Sequence, residues 1–251
     1  MKKPGLLFLF SLGILISSQS ALAQTARDII KAAIDNFRGV SSYSEAIMLI
    51  HRPDWERSME MKIWTQGTDK SLVRITAPKK DIGNGTLLID DDMWSYSPKI
   101  NRVIKIPSSM ATQSWMGSDF SNNDVSRADD IVDKYQHTLL ETTSQQGMKL
   151  YTIESIPHED APVVWGREVL RVREDNVLFS HAFYDQDGLL VKTLETHEIK
   201  HIDGRNVATI ERMTKADKPQ EWTEFRMSNI KFNIDIPNNT FTLSSLRNPR
   251  F

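Results

Sequence analysis

The sequence predicts an α+β fold that is mainly antiparallel β: one curved sheet with a single helix at its N-terminal end. Three observations carry that prediction. Segments with strand patterning recur from Tyr43 to Phe232, and tight turns rather than helices join most of them. This is the pattern of a meander, not of parallel βαβ units. An amphipathic helix from Thr25 to Phe37 offers an apolar stripe broad enough to need a concave sheet beneath it. No internal repeat, linker or low-complexity segment interrupts the run, so residues 24–251 read as one domain.

The helix comes first. Thr25 stands at the N-cap with Asp28 at the reciprocal capping-box position. Ile29, Ile30, Ala33, Ile34 and Phe37 share a face, and Gly39 ends the helix. Tyr43 to His51 is nearly continuous in apolar residues (Ala46, Ile47, Met48, Leu49, Ile50) and reads as a strand buried on both faces. Ser58 to Gln66 alternates, with Met59, Met61 and Ile63 opposite Glu60, Lys62 and Trp64. Ser71 to Ala77 is another strand, closed by Pro78.

Gly85 to Ile106 continues the meander. Leu87 and Ile89 lie on one strand, Trp94 and Tyr96 on its return after the Asp90-Asp91-Asp92 turn. Ile104 and Ile106 follow a turn marked by Pro98 and Asn101. The character then changes. Met110, Trp115, Met116 and Phe120 sit among Ser, Gly, Asn and Asp without a clean period, and large apolar side chains in such a segment imply that it covers something.

Further on, Ile131, Val132, Tyr135 and Leu139 have helical spacing and predict a short helix over Asp129 to Leu140. Strands are expected at Lys149 to Ile156, Trp165 to Arg173 and Asn176 to Tyr184. A hairpin turn at Asp185-Gln186-Asp187-Gly188 leads into Leu189 to Lys200. Asp203-Gly204 turns into Val207 to Thr214, and Glu221 to Phe232 is the last strand. Pro237 and Asn238-Asn239 close the sheet before Phe241, Leu243 and Leu246.

The pattern Asp91-x-x-Trp94-x-Tyr96-x-Pro98, followed by the run from Gly117 to Asp124, resembles the periplasmic outer-membrane lipoprotein-sorting family. The likeness lies in the uncharacterised branch of the LolA-like superfamily and covers nearly the whole chain after its leader. It implies an unclosed β-barrel, a half-barrel, with a helical and loop lid over its concave face and an apolar cavity for acyl chains. The expected partners are lipid or lipoprotein acyl chains, an inner-membrane transporter as donor and an outer-membrane acceptor. No cofactor is implied. In the lipoprotein carrier of that superfamily an early-strand arginine helps to hold the lid. The corresponding strand here carries Lys62 and Trp64, and Arg57 and Arg74 lie off the pattern.

Composition narrows the function class. Lys2 and Lys3 precede an apolar stretch from Leu6 to Ile16, and Ala21-Leu22-Ala23 reads as a cleavage site, so export to the periplasm with Gln24 as the mature N-terminus is expected. That stretch is too short to span a bilayer. The chain has no cysteine, which removes disulfides, thiol chemistry and a lipid-attachment thiol. Its net charge is −2 before the two leader lysines are removed, which argues against a nucleic-acid binder.

Catalytic signals are few. His197-Glu198-Ile199-Lys200-His201 satisfies the H-E-x-x-H zinc pattern, but that chemistry needs a helix, where residues four apart share a face. The flanks read as strand, which would hold the two histidines roughly 13 Å apart. Asp185-x-Asp187-Gly188 lacks the remaining ligands of a calcium loop and reads as a turn. No G-x-S-x-G elbow is present. The chain is therefore expected not to be an enzyme.

Met48, Met59, Met61, Met93, Met110 and Met116 crowd the first half of the chain. They suit either a malleable ligand cavity or an ordinary filled core. The residues expected to line the cavity and its lid are Met59, Met61, Ile63, Leu87, Ile89, Trp94, Tyr96, Ile104, Ile106, Met110, Trp115, Met116 and Phe120. The leading expectation is a lipid or lipoprotein carrier. Its rivals are an envelope interaction module with a filled core and, behind that, a zinc hydrolase.

Overall fold

In the meander expected from the sequence, every strand pairs antiparallel with its neighbours, and thirteen strands make one sheet. The computed structural model describes residues 24–145 and 147–248; the leader reading falls on residues 1–23 and lies outside them. The first six strands are β1 (Ser41–Arg52), β2 (Trp55–Gln66), β3 (Lys70–Ala77), β4 (Gly85–Ile89), β5 (Asp92–Ser97) and β6 (Arg102–Ile106). The next four are β7 (Tyr135–Gln145), β8 (Met148–Pro157), β9 (Arg167–Arg173) and β10 (Leu178–Tyr184). The last three are β11 (Leu190–Ile202), β12 (Arg205–Lys215) and β13 (Lys218–Phe232).

The order across the sheet is β6-β5-β4-β3-β2-β1-β13-β12-β11-β10-β9-β8-β7. Two meanders therefore meet at the β1–β13 pair, where Met48 stands opposite Phe225 and Ala46 opposite Met227. The outer strands β6 and β7 do not pair, so the sheet stays unclosed as expected.

Alternation gives the sheet two distinct faces. On the inner face, Met59 and Met61 adjoin Met48 and Ala46, and Ile63 adjoins Val73. The same face continues through Leu88 and Met93 to Ile106. In the other direction it runs through Phe225 and Glu211, then Met213 and Leu194, to His181 and Leu170. Helix α1 (Ala26–Arg38), with the expected Thr25–Asp28 capping box formed, lies on this face. It packs Ile29, Ile30 and Ala33 against Tyr135, Ile153, Leu170 and Val172.

The outer face is bare over much of its area, with one exception. The C-terminal segment, ending in α4 (Leu243–Arg247), packs Ile236, Phe241 and Leu246 over Leu72, Leu87 and Tyr96. Buried Arg74 donates to the carbonyls of Leu246 and Ser245 at 2.7 and 2.6 Å, groups that a helix end otherwise leaves unpaired. A side chain at Gly85 would meet Leu246 Cδ1 at 2.8 Å, so the close seat of α4 depends on that glycine.

Two local expectations are corrected. Only Asp130–Lys134 of the Asp129 to Leu140 stretch is helical (α3), and Tyr135 onward is β7. Ile131 and Val132 bury against α1, but the main chain after Lys134 finds a ladder of partners along β8, and pairing overrides the local spacing. The strand at Tyr43 to His51 is buried on one face only: Ala46, Met48 and Ile50 are inside, while Ile47 is 41% exposed on the other side.

Candidate functional site

The inner face is covered in two parts. Over its β1–β6 half lies the segment from Ser108 to Ser126. Its apparent irregularity in sequence hides a tied structure: 3-10 turns at Ser108–Met110 and Trp115–Gly117, then helix α2 (Asn122–Ser126). Backbone bonds from Trp115 to Phe120, from Asn122 to Gln113 and from Asn123 to Ala111 fold it on itself. Met116 and Gly117 both take positive φ (52° and 78°), which turns the chain so that Trp115 points down into the sheet.

Trp115 lands on a filled floor. Met48, Met59, Met61, Ile75 and Met93 are each no more than 4% exposed, and Trp115 packs with them in one cluster. The indole Nε1 donates to Thr86 Oγ1 at 3.0 Å. This half is a core, and the methionines fill it.

Over the β8–β12 half, the cover leaves space. A cavity of about 300 Å³ lies between α1, the α2–α3 segment and the strands beneath. Ile30, Ala33, Ile34 and Phe37 of α1 form one wall. Phe120, Val125 and Ile131 form a second, and Trp165, Leu170, Leu178, Phe183, Leu194, Ala208 and Met213 the floor. Phe37 is 40% exposed while lining the cavity, which marks where it reaches the surface.

Several charged groups border this space, and nearly all are paired. Glu168 accepts from His181 Nε2 at 2.5 Å. Burial, together with the Glu168 charge and hydrogen bond, pushes the Tyr135 phenol well above its usual range. Buried Lys192 bonds Asp124 at the start of α2, its ammonium 4.9 Å from the centre of the Trp165 ring. Burial lowers the Lys192 pKa, with Asp124 opposing that shift. The exception is Glu211 of β12, which has no hydrogen bond or ion pair among the described residues. Burial alone raises its carboxyl to about 7.

The cover is held to the sheet by ions. Asp119, wholly buried, accepts two bonds from the Arg52 guanidinium at 3.0 Å each and one from Thr223 Oγ1 at 2.7 Å. Arg57 donates to Asp81 at 3.0 Å and to the Met116 carbonyl at 3.4 Å. The arginines of the cover are thus Arg52 and Arg57. Both arginines keep step with the inward positions of their strands, Arg52 with Met48 and Ile50 and Arg57 with Met59 and Met61, but Asp119 gave no hint of burial within a Ser- and Asn-rich run.

Of the thirteen residues expected at the cavity, only Phe120 lines it. Its ring also meets Phe225 edge-on, with centroids 5.1 Å apart. Met59, Met61, Trp115 and, more loosely, Ile63, Ile106 and Met116 belong to the filled core. Leu87, Ile89, Trp94 and Tyr96 lie on the outer face, beneath the C-terminal segment. Ile104 is 49% exposed near the sheet edge, and Met110 is half-buried in its 3-10 turn, where its carbonyl accepts from Asn122 Nδ2.

Residues that sequence reasoning missed come from α1, from the α2–α3 segment, from Trp165 and from β9 to β12. The helix stripe alone signalled part of that wall. The His197–His201 run lies within β11 with both rings exposed. His201 Nδ1 pairs with Asn206 Oδ1 at 3.1 Å and Glu198 with Lys200 at 2.9 Å, so the helical geometry that the zinc pattern needs is not formed.

Comparison with known proteins places these features. A family model described only as an uncharacterised protein matches residues 67–248. A DUF1329 family protein from Desulfovibrio piger has a similar structure, with a TM-score of 0.81 at 28% identity, over 88% of this chain and 97% of that one. A domain described as an outer-membrane lipoprotein-sorting protein, from Vibrio parahaemolyticus, gives 0.79 at 22% identity, over 89% and 98%. A LolA superfamily protein from Nitrosomonas europaea gives 0.73 at 24% identity, over 88% and 98%. No curated protein matches the chain.

Proposed function

Starting from the fact that the chain belongs to this uncharacterised-protein family and folds as LolA-like proteins do, we propose that it is a periplasmic carrier of an acyl chain or a similarly apolar ligand. The observation that carries this reading is the contrast along one sheet face: a methionine core under Trp115, and an apolar cavity under α1. An acyl chain gains about 0.8 kcal/mol for each methylene moved out of water, so a carrier needs an enclosed apolar space of this kind. About 300 Å³ sits at the low end of the ~300–1,000 Å³ typical of ligand pockets. A bulkier cargo therefore requires the cover to move.

The cover has parts suited to that. Helix α1 and the α2–α3 segment both face the cavity, and α2 is tied down through the Asp124–Lys192 pair. The names of the structural relatives, outer-membrane lipoprotein sorting among them, support cargo exchange between a membrane donor and an acceptor. No helix among the described residues is long and apolar enough to cross a membrane.

The test is to fill the space. Ala208 is 4% exposed and lines the cavity, so Ala208→Phe should occupy it. The wild type is expected to carry lipid in native mass spectrometry and Ala208→Phe to lose it, with at least about tenfold weaker uptake of a neutral fluorescent apolar probe. Unchanged lipid and probe binding in a folded variant would move the site elsewhere.

A further inference from the structure

The cavity is apolar in area but not in chemistry, and among the described residues one charged side chain in its wall, Glu211, has no hydrogen bond or ion pair. Glu211 projects from β12, flanked by Thr196 on β11 and Phe225 on β13, and lines the cavity with Met213 of its own strand. The charged groups that share this space are engaged. Glu168 on β9 holds His181 on β10. Asp124 on α2 holds Lys192 on β11. Asp130 on α3 holds Lys134 at 2.8 Å and faces Arg127 at 3.7 Å. Arg38, at the end of α1, donates to the carbonyls of Gly67 and Lys70. Burial is the only influence on the Glu211 carboxyl, so none of these cations offsets it. Glu211 is part-buried, and two fully buried atoms on other cavity-lining residues are also unpartnered, Trp165 Nε1 and Asp124 Oδ1.

Buried polar groups are costly unless paired, and an unpaired one in a cavity wall is a place where a ligand atom belongs. An acceptor with no donor selects for donors. We propose that Glu211 is the polar anchor of the cavity, and that it selects an apolar ligand bearing a neutral or cationic hydrogen-bond donor, a hydroxyl or an amine, over one bearing a carboxylate or phosphate. This rests on the carrier reading and adds a headgroup preference to it. A carboxylate placed beside Glu211 meets a like charge at slightly alkaline pH. An ammonium there forms a charge-assisted bond, and a hydroxyl donates to the carboxylate or accepts from the protonated acid.

The experiment compares ligands of one chain length, decylamine, decanol and decanoate, as competitors of a neutral fluorescent apolar probe. At pH 8 the amine should bind about tenfold or more tightly than decanoate, the scale of one charge-assisted hydrogen bond. That advantage should shrink on lowering the pH to 6, as Glu211 takes up its proton. Glu211→Gln keeps the size of the side chain and removes its charge. It should abolish the pH dependence and most of the amine preference, and leave probe affinity within about twofold. Decanoate binding as tightly as the amine to the wild type, or an unchanged amine preference in Glu211→Gln, would overturn the headgroup assignment while the carrier reading stands. If neither the probe nor any of the three competitors binds, both fail together.

Discussion

The two halves of the inner face are built from the same alternation and end in opposite states. Under Trp115, five large side chains from β1, β2, β3 and β5 pack into one buried cluster. Under α1, one nine-residue buried cluster of comparable chemistry still leaves about 300 Å³ unfilled beside it. The difference lies in the covers. The Ser108–Ser126 segment is folded on itself and sends one indole straight down, whereas α1 is a rigid rod whose stripe of Ile and Ala cannot follow the curve of the sheet beneath it. An irregular segment can follow a concave floor, and a straight helix bridges over it. Hollows form where regular elements meet curved ones.

The largest effect is expected where the two halves are joined. Asp119 is the buried end of the latch on the cover of the filled half, and Phe120, next to it, reaches the hollow one. Asp119→Ala leaves the mostly buried Arg52 charge without its main partner. It should cost about 3–5 kcal/mol in denaturant unfolding. A cost below about 1 kcal/mol would show that the cover is not held through this ion pair.

Truncation should separate the halves next. Met59→Ala opens a void in the filled core and should cost about 2–5 kcal/mol. Leu194→Ala, in the floor of the cavity, removes a side chain that already faces empty space, so its cost should fall clearly below that of Met59→Ala. Equal costs from thermal or denaturant unfolding would show that the cavity closes in solution.

The smallest effect is in pH. A carboxyl whose pKa is raised in the folded state holds its proton more tightly when folded. Its burial therefore costs nothing below the unfolded value of 4.5, and stability declines as the pH rises through about 7. The full decline attributable to Glu211 is about 3 kcal/mol at most. Unfolding free energies of wild type and Glu211→Gln should converge near pH 4 and diverge in favour of the variant by pH 8. Parallel curves would place Glu211 in contact with bulk water.

Much of the fold was legible because alternation and turn residues are local signals. The capping box at Thr25 and Asp28, the Asp185–Gly188 turn and most of the strands follow from neighbours within a few positions. The cavity was legible only in kind. Trp94 and Tyr96 have the alternation and size of cavity-lining residues, but alternation states that two residues share a face and not which face it is. The C-terminal segment, more than a hundred residues away, turns theirs into the outer one. Likewise, Met59 and Met61 were placed on the correct face, yet whether methionines line a hollow or fill it depends on what the cover lowers onto them.

By itself the sequence determined the helix and its caps, the meander, the absence of thiol chemistry and the strand setting of the His197–His201 run, all consequences of covalent chemistry and short-range periodicity. Tertiary structure alone decided which face is inner, that Arg52 and Asp119 meet across 67 positions, and that Glu211 is left unpartnered in an apolar space. Burial and pairing are properties of what arrives from elsewhere in the chain, and no local pattern encodes the arrival.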